Sequence, residues 1–493
     1  MLPDRGEDLK NTMEEIDIAL IKKKSLSGIF ALTSRTFILQ LIAFGATFLL
    51  TVFLTPATFG IFFVVSAIIS FLSYFSDIGL AAALIQKKER LTDEDLSTTF
   101  TIQQLMVLPL SCVAFVIAPW VAKFYGLDAS GVMLFRALVV SFFFSSLKTI
   151  PSVLLERDLN FNKLVIPQIA ETIGFYAVAV FMAWRGLGVT SFTWAVLTRA
   201  VIGLVLMYIV SPWKIRFGIS KDVAKRLLKF GVPFQMNSFL ALLKDDLMTV
   251  FLGKILPFNQ VGYIGWAKKW AEVPLRLIMD SVIRVTFPTF SRLQHSKELL
   301  GKAIEKTLFG LAVTMIPISA GLLFFVGPAV TIIPKYGKWE PALVSFFMFV
   351  IAAILAGFST PLTNALNAVG KINITMMLMV FWTVATWILT VTLIHFIGFN
   401  GFALGLLILT MTGAAVVKIT KQFADFDFIK QVQWPAIAGF VQVGWYFVLV
   451  GKAPYNAAYL TVIAVSGVIL YGAVLWATEK QRIADIIHMS RVK

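Results

Sequence analysis

Between residues 268 and 284 ionisable side chains recur at every fourth position with alternating sign: Lys268, Glu272, Arg276, Asp280 and Arg284. Four residues turn an α-helix by about 400°, so all five share one broad stripe, with opposite charges as i,i+4 neighbours. The stripe rises roughly 24 Å, most of a hydrocarbon core ~30 Å thick, and it lies in a stretch otherwise apolar enough to cross a membrane. A charge at mid-bilayer costs about 2.5–3.5 kcal/mol on insertion scales, so five facing lipid would cost on the order of 15 kcal/mol. They are expected to face protein or water instead. Packed salt bridges would explain the central Glu272, Arg276 and Asp280; for the whole stripe a wet, polar cavity wall is the reading, because a wall built only for packing is seldom more stable ionic than apolar. Pro274 interrupts the backbone ladder and predicts a kink there.

Other segments carry such charges too: Arg35, Asp77, Arg136, Lys148, Glu171, Arg199, and Lys244, Asp245 and Asp246 together. The densest polarity falls in predicted spans one, two, seven and eight, which predicts a cavity where two halves of the chain meet. Its excess of Lys and Arg suits an anionic cargo such as a phosphate or diphosphate.

The elements that hold these groups follow from composition. The 493 residues are 58% hydrophobic and 14% charged, with a mean hydropathy of +0.84. Soluble domains are roughly 45–50% apolar and about 25% charged, so an ordinary soluble enzyme is excluded. The expected fold is an all-α integral membrane protein of about 14 transmembrane helices: 26–54, 59–85, 94–122, 130–156, 161–184, 188–212, 231–256, 259–288, 304–326, 341–368, 372–397, 400–420, 433–451 and 455–477. Net charge is +16. Lys and Arg concentrate in the tails and in every second loop, which accounts for the charge without nucleic acid and predicts both termini in the cytosol. The opposite side holds only Lys123, Arg185, Lys254, Lys335, Lys338 and Lys452.

The predicted domains are a cytosolic tail (1–25), an N-terminal six-helix bundle (26–212), a cytosolic amphipathic basic linker (213–230), a C-terminal six-helix bundle (231–424), an extra helix pair (425–477) and a cytosolic tail (478–493). In the linker, Leu227, Leu228 and Phe230 are expected on the bilayer, with Lys221, Lys225, Arg226 and Lys229 at anionic head groups. "LTPATFGIF" (54–62) and "LPFNQVGYI" (256–264) open the second span of each half and hint at a repeat. The lone Cys112 excludes an intramolecular disulfide and is expected as a packing residue. His295, His395 and His488 are scattered; no metal site, nucleophile–His pair or cofactor is expected.

Two stretches resemble a known family. "FSDIGLAAALIQKKERLTDEDLSTTF" (75–100) is similar to the end of span two and the following loop of Wzx-type polysaccharide and O-antigen flippases. "VGYIGWAKKWAEVPLRLIMDSVIRVTFPTFSRLQ" (261–294) resembles their span eight. The resemblance runs over roughly residues 20–425. It implies two pseudo-symmetric six-helix bundles around a central cavity plus two C-terminal helices, in the bacterial cytoplasmic (inner) membrane. It further implies transport of an undecaprenyl-diphosphate-linked oligosaccharide, a polysaccharide repeat unit, to the outer leaflet, with a polysaccharide polymerase and a chain-length regulator as candidate partners besides membrane lipids. Arg35, Lys148, Lys268, Arg276 and Arg284 are then the expected head-group residues. Asp77, Asp245, Asp246, Glu272 and Asp280 are the candidates for coupling to H⁺ or Na⁺, since a carboxylate in an apolar setting titrates near neutrality while one beside Arg stays ionised. A cation-coupled drug exporter of the same superfamily is the alternative, disfavoured by the surplus of cations. A membrane enzyme would need an acidic or metal-binding outer loop, and the largest, 327–341, offers only Glu340.

Overall fold

Apolar runs of membrane-spanning length must close every backbone hydrogen bond internally once water is gone, and the helix does so. The computed structural model describes residues 38–74, 78–450 and 456–491, and among them all regular structure is helical. Eleven helices in the described residues are long and apolar enough to cross a membrane.

The chain divides into two compact units, Met1–Phe258 and Asn259–Lys493. The first holds α1 (Ile38–Phe53), α2 (Pro56–Tyr74), α3 (Leu80–Gln86), α4 (Asp93–Tyr125), α5 (Ala129–Leu147), α6 (Thr149–Arg157), α7 (Phe161–Trp184), α8 (Val189–Val210) and α9 (Lys221–Ile255). The second takes all but the first residue of α10 (Phe258–Ala271), and holds α11 (Val273–Leu293), α12 (Lys297–Ile332), α13 (Leu343–Ala368), α14 (Ile372–Ile397), α15 (Asn400–Met411), α16 (Gly413–Thr420), α17 (Phe428–Val450) and α18 (Ala457–Arg491). The two look-alike peptides both lie at corners, where α1 passes to α2 and α9 to α10.

Several predicted spans are broken, each for a local reason. In the stretch 59–85 α2 is described as far as Tyr74, and a separate helix starts at Leu80 after Gly79, whose φ of 72° is left-handed. There α3 meets α9 so closely that a Cβ on Gly79 or on Gly231 would overlap the other's backbone, which only glycine allows. Nearby, Tyr74 and Gln235 exchange side-chain-to-carbonyl bonds of 2.6 and 3.2 Å between α2 and α9. The stretch 130–156 bends at Lys148, between α5 and α6. The ladder stretch breaks at Glu272, one residue before α11; Pro274 stands at the second position of α11, where its missing N–H breaks no bond.

The linker differs from its sequence reading. Residues 212–220 are not helical, and from Lys221 onward the chain runs as one 35-residue helix into predicted span seven. Val223 and Leu227 are buried against Leu80, Leu84, Phe100 and Ile150, with Leu228 and Phe230 packed beside them. The apolar face assigned to the bilayer therefore docks on the protein. An apolar stripe is satisfied equally by lipid tails or by a neighbouring core, and the sequence does not distinguish the two. Cys112 is corrected as well: it is exposed on α4 rather than packed.

The described part of the family-like stretch, from residue 78 on, forms the seat for this linker. Thr92 caps α4 in a reciprocal capping box with Asp95. Asp95, fully buried, takes Lys87 at 2.5 Å and Arg226 of α9 at 3.0 Å. Arg157, at the end of α6, donates to the carbonyls of Leu84, Lys87 and Glu89. The amides of Gly218 and Ser220 donate to the hydroxyls of Thr101 and Thr98, and Trp213 packs edge-on to Phe100.

In the second unit, α11, α12, α13 and α16 enclose a core around Phe290, Ile304, Leu308, Met315, Leu362 and Val416. α17 and α18 lie along α12, where Gln442 and Tyr471 donate to the carbonyls of Pro317 and Ala312.

Candidate functional site

The α5–α6 bend begins with a missing donor. Pro151 has no N–H to give the Leu147 carbonyl, which would accept it in an unbroken helix. Tyr208 of α8 supplies its hydroxyl to that oxygen instead, at 3.1 Å. Two amides of α4 brace the same joint: Gln103 donates to the Thr149 hydroxyl at 2.9 Å and Gln104 to that of Ser146 at 3.1 Å. Lys148, at the joint, places its Nζ 2.5 Å from Oε1 of Glu171 on α7. The other carboxylate oxygen lies 3.6 Å from Nε of Arg199 on α8.

Room for that carboxylate comes from Gly203, one turn beyond Arg199. A Cβ at Gly203 would occupy the position of the Glu171 carboxylate. Glu171 is buried at 9% exposure, so a charge with no partner there would be costly. Lys148 and Arg199 meet that need.

A cavity of about 500 Å³ opens over this triad. Beside Lys148, Glu171 and Arg199 it is lined by Ser152, Glu156 and Gln168. Leu39, Thr172 and Arg199 also line an adjoining space of about 320 Å³ that reaches Gln40, Phe175 and Tyr176. Both volumes fall in the size range of small-ligand sites, about 300–1,000 Å³. Both lie wholly within the first unit.

The predicted site residues distribute as follows. Lys148 is in the cavity. Arg35 and Asp77 lie outside the described residues, and so does the side chain of Asp280, whose backbone is in α11. Arg276 pairs with Glu272 at 2.8 Å, and both Arg276 and Arg284 are exposed on α11. Lys268 is half-buried, its Nζ 5.9 Å from the centre of the Phe402 ring. Asp245 is exposed and Asp246 half-buried on α9. Glu171 and Arg199 stand out in the sequence as intramembrane charges, without a role; Gln168, Gln40 and Tyr176 carry no signal there. Among the described residues no cluster of three His, Cys, Asp or Glu could hold a metal ion.

The chain is similar to known proteins in sequence and in fold. The profile of the family described as "Polysaccharide biosynthesis protein" matches residues 49–344. Curated relatives include the succinoglycan biosynthesis transport protein ExoT of Rhizobium meliloti (strain 1021), 25% identical over 57% of this chain and 56% of its own length. The teichuronic acid biosynthesis protein TuaB of Bacillus subtilis (strain 168) is 25% identical over 60% and 62%. The lipopolysaccharide biosynthesis protein WzxC of Escherichia coli (strain K12) is 24% identical over 66% of each. The matches thus span about three-fifths of these relatives' length. Among solved structures the fold is similar to that of the lipid II flippase MurJ in an inward closed conformation, with a TM-score of 0.75 at 15% identity over 92% of this chain and 99% of that one. It is also similar to an inward-facing multidrug resistance MATE family transporter, with a TM-score of 0.61 at 16% identity over 84% and 98%.

Proposed function

Because the chain belongs to the polysaccharide biosynthesis protein family, we propose that it moves an undecaprenyl-diphosphate-linked oligosaccharide across the cytoplasmic membrane by alternating access. The observation that carries the reading is this family membership in a chain with cations where a membrane protein would ordinarily have none. The names of the relatives, a transport protein for one polysaccharide and biosynthesis proteins for two others, support it.

In this reading the chain crosses the membrane fourteen times, the eleven apolar helices being joined by α1, by α9 and by the α10–α11 pair. Both termini are cytosolic, and residues 213–230 separate the two six-span halves. Arg35, Lys268, Arg276 and Arg284 attract the diphosphate. Lys148 has Glu171 as its partner, so it meets an anion only by exchanging that carboxylate. Asp77, Asp245, Asp246, Glu272 and Asp280 are the carboxylates from which an H⁺ or Na⁺ site would be drawn.

The test is complementation of a deletion strain. Arg35→Ala and Arg276→Ala are expected to remove surface glycan while protein in the membrane stays at wild-type level. Normal glycan with both substitutions overturns the head-group assignment. The likeness to a multidrug transporter fold favours one second reading, export of organic cations. A deletion strain sensitised to cationic dyes with its surface glycan intact would establish that reading instead.

A further inference from the structure

The cavity of the first unit has a chemical character that the diphosphate does not need. Its described lining carries two cations, Lys148 and Arg199, and two carboxylates, Glu156 and Glu171. Lys148 is held by Glu171 at 2.5 Å, and Arg199 flanks the same carboxylate. Among the described residues the charges of the wall balance, so these leave no surplus to compensate a phosphate or an ammonium ion. What the wall offers is hydrogen-bonding capacity of both signs. Glu156 already accepts from Ser152 at 3.0 Å and keeps further lone pairs. The Arg199 fork carries five donors, and its side chain is 57% exposed. Hydroxyls of Ser145 and Thr149 and the amide of Gln168 stand around them, with the amide of Gln40, the phenol of Tyr176 and the Phe175 ring in the adjoining space.

Resting on the translocation reading above, we propose that this cavity binds an uncharged sugar of the cargo's glycan, and that it is separate from the site of the diphosphate. A sugar presents vicinal hydroxyls that each donate one proton and accept at two lone pairs. A paired carboxylate and guanidinium satisfy both functions at once without a net charge to neutralise. The apolar face of a pyranose has Leu39, Phe175 and the ring of Tyr176 to lie against. An anion in the same place would meet the Glu156 and Glu171 carboxylates, which like-charge repulsion opposes, and could take Lys148 only by breaking its pair with Glu171. Within this assignment Lys148 is a positioning residue that holds the Glu171 carboxylate in place.

The experiment uses the full-length protein purified in detergent micelles and saturation-transfer difference NMR. The probes are neutral methyl glycosides (a hexoside, a 6-deoxyhexoside and an N-acetylhexosaminide), with inorganic pyrophosphate as competitor. At least one glycoside is expected to receive saturation, and pyrophosphate is expected not to displace it. Tyr176→Ala, at a half-buried position, is expected to weaken that binding about five-fold or more, the scale of one lost contact, with thermal unfolding unchanged. Gln168→Leu serves as a second variant should the first misfold. Displacement by pyrophosphate, glycoside binding that survives both substitutions, or no glycoside bound at all each overturns the proposal. Reconstituted vesicles separate the two readings. Glycoside binding without movement of the lipid-linked cargo sinks the transport function and leaves the sugar site standing; movement without glycoside binding does the reverse.

Discussion

Removing one member of the Lys148–Glu171 pair should harm the protein more than removing both. The two side chains are 15% and 12% exposed, so screening by solvent is slight. At 2.5 Å and an effective dielectric near 20, unit charges attract by roughly 6–7 kcal/mol. Desolvation costs several kcal/mol per ion, and the net contribution of such a pair is close to zero. Loss of one partner is different, because it leaves a buried charge and costs about 3–5 kcal/mol. The third member makes the two losses unequal. After Lys148→Met, Glu171 still has Arg199 at 3.6 Å, and that exposed side chain returns up to about 1 kcal/mol. After Glu171→Leu, Lys148 and Arg199 both lose the carboxylate they share, and a leucine takes its place. Glu171→Leu is therefore expected to be the worse single change, and the double variant to lie within about 1 kcal/mol of wild type. The assay is unfolding of purified protein in mixed dodecylmaltoside–SDS micelles, followed by tryptophan fluorescence, as a double-mutant cycle. Additive losses, or a Lys148 variant less stable than the Glu171 variant, would contradict this account of the triad.

Gly203→Ala should destabilise although alanine is the better helix former by about 1 kcal/mol, because the added methyl displaces the Glu171 carboxylate; in a Glu171→Ala background the same change should become neutral or favourable in the same unfolding assay. Asp95→Asn should cost about 3 kcal/mol or more by leaving Lys87 without its buried counter-charge, seen as a lowered unfolding midpoint. Arg276→Ala, which breaks an exposed i,i+4 pair, should cost less than about 1 kcal/mol while removing glycan export, so that stability and activity come apart at that position.

The helices were legible because hydropathy alone dictates them, and the charges in them because each carries a cost that demands a partner. Of the stripe on 268–284, Glu272 and Arg276 pair as i,i+4 spacing requires, while the side chain of Asp280 lies outside the described residues. The stripe's break comes at Glu272 rather than at the proline, since proline is tolerated just inside a helix start. The triad around Glu171 was not legible. Its members come from three segments, and what joins them is the space left by Gly203 and the bend at Lys148, neither of which has a periodic signature. The same holds for the linker, whose basic amphipathic pattern was plain but whose apolar partner, the core around Leu84 and Phe100, comes from residues remote in the sequence.

The tethering of residues 213–220 bears on how the protein is handled at the bench. A polar connection between two runs of spans invites an epitope tag or a reporter fusion for mapping topology. Here the backbone of Gly218 and Ser220 is bonded to threonines of α4, and Trp213 is wedged on Phe100, so an insertion would pull the segment off its seat and report on a damaged molecule. The short turn at Gln294 and His295, both exposed, is the safer place to graft a label.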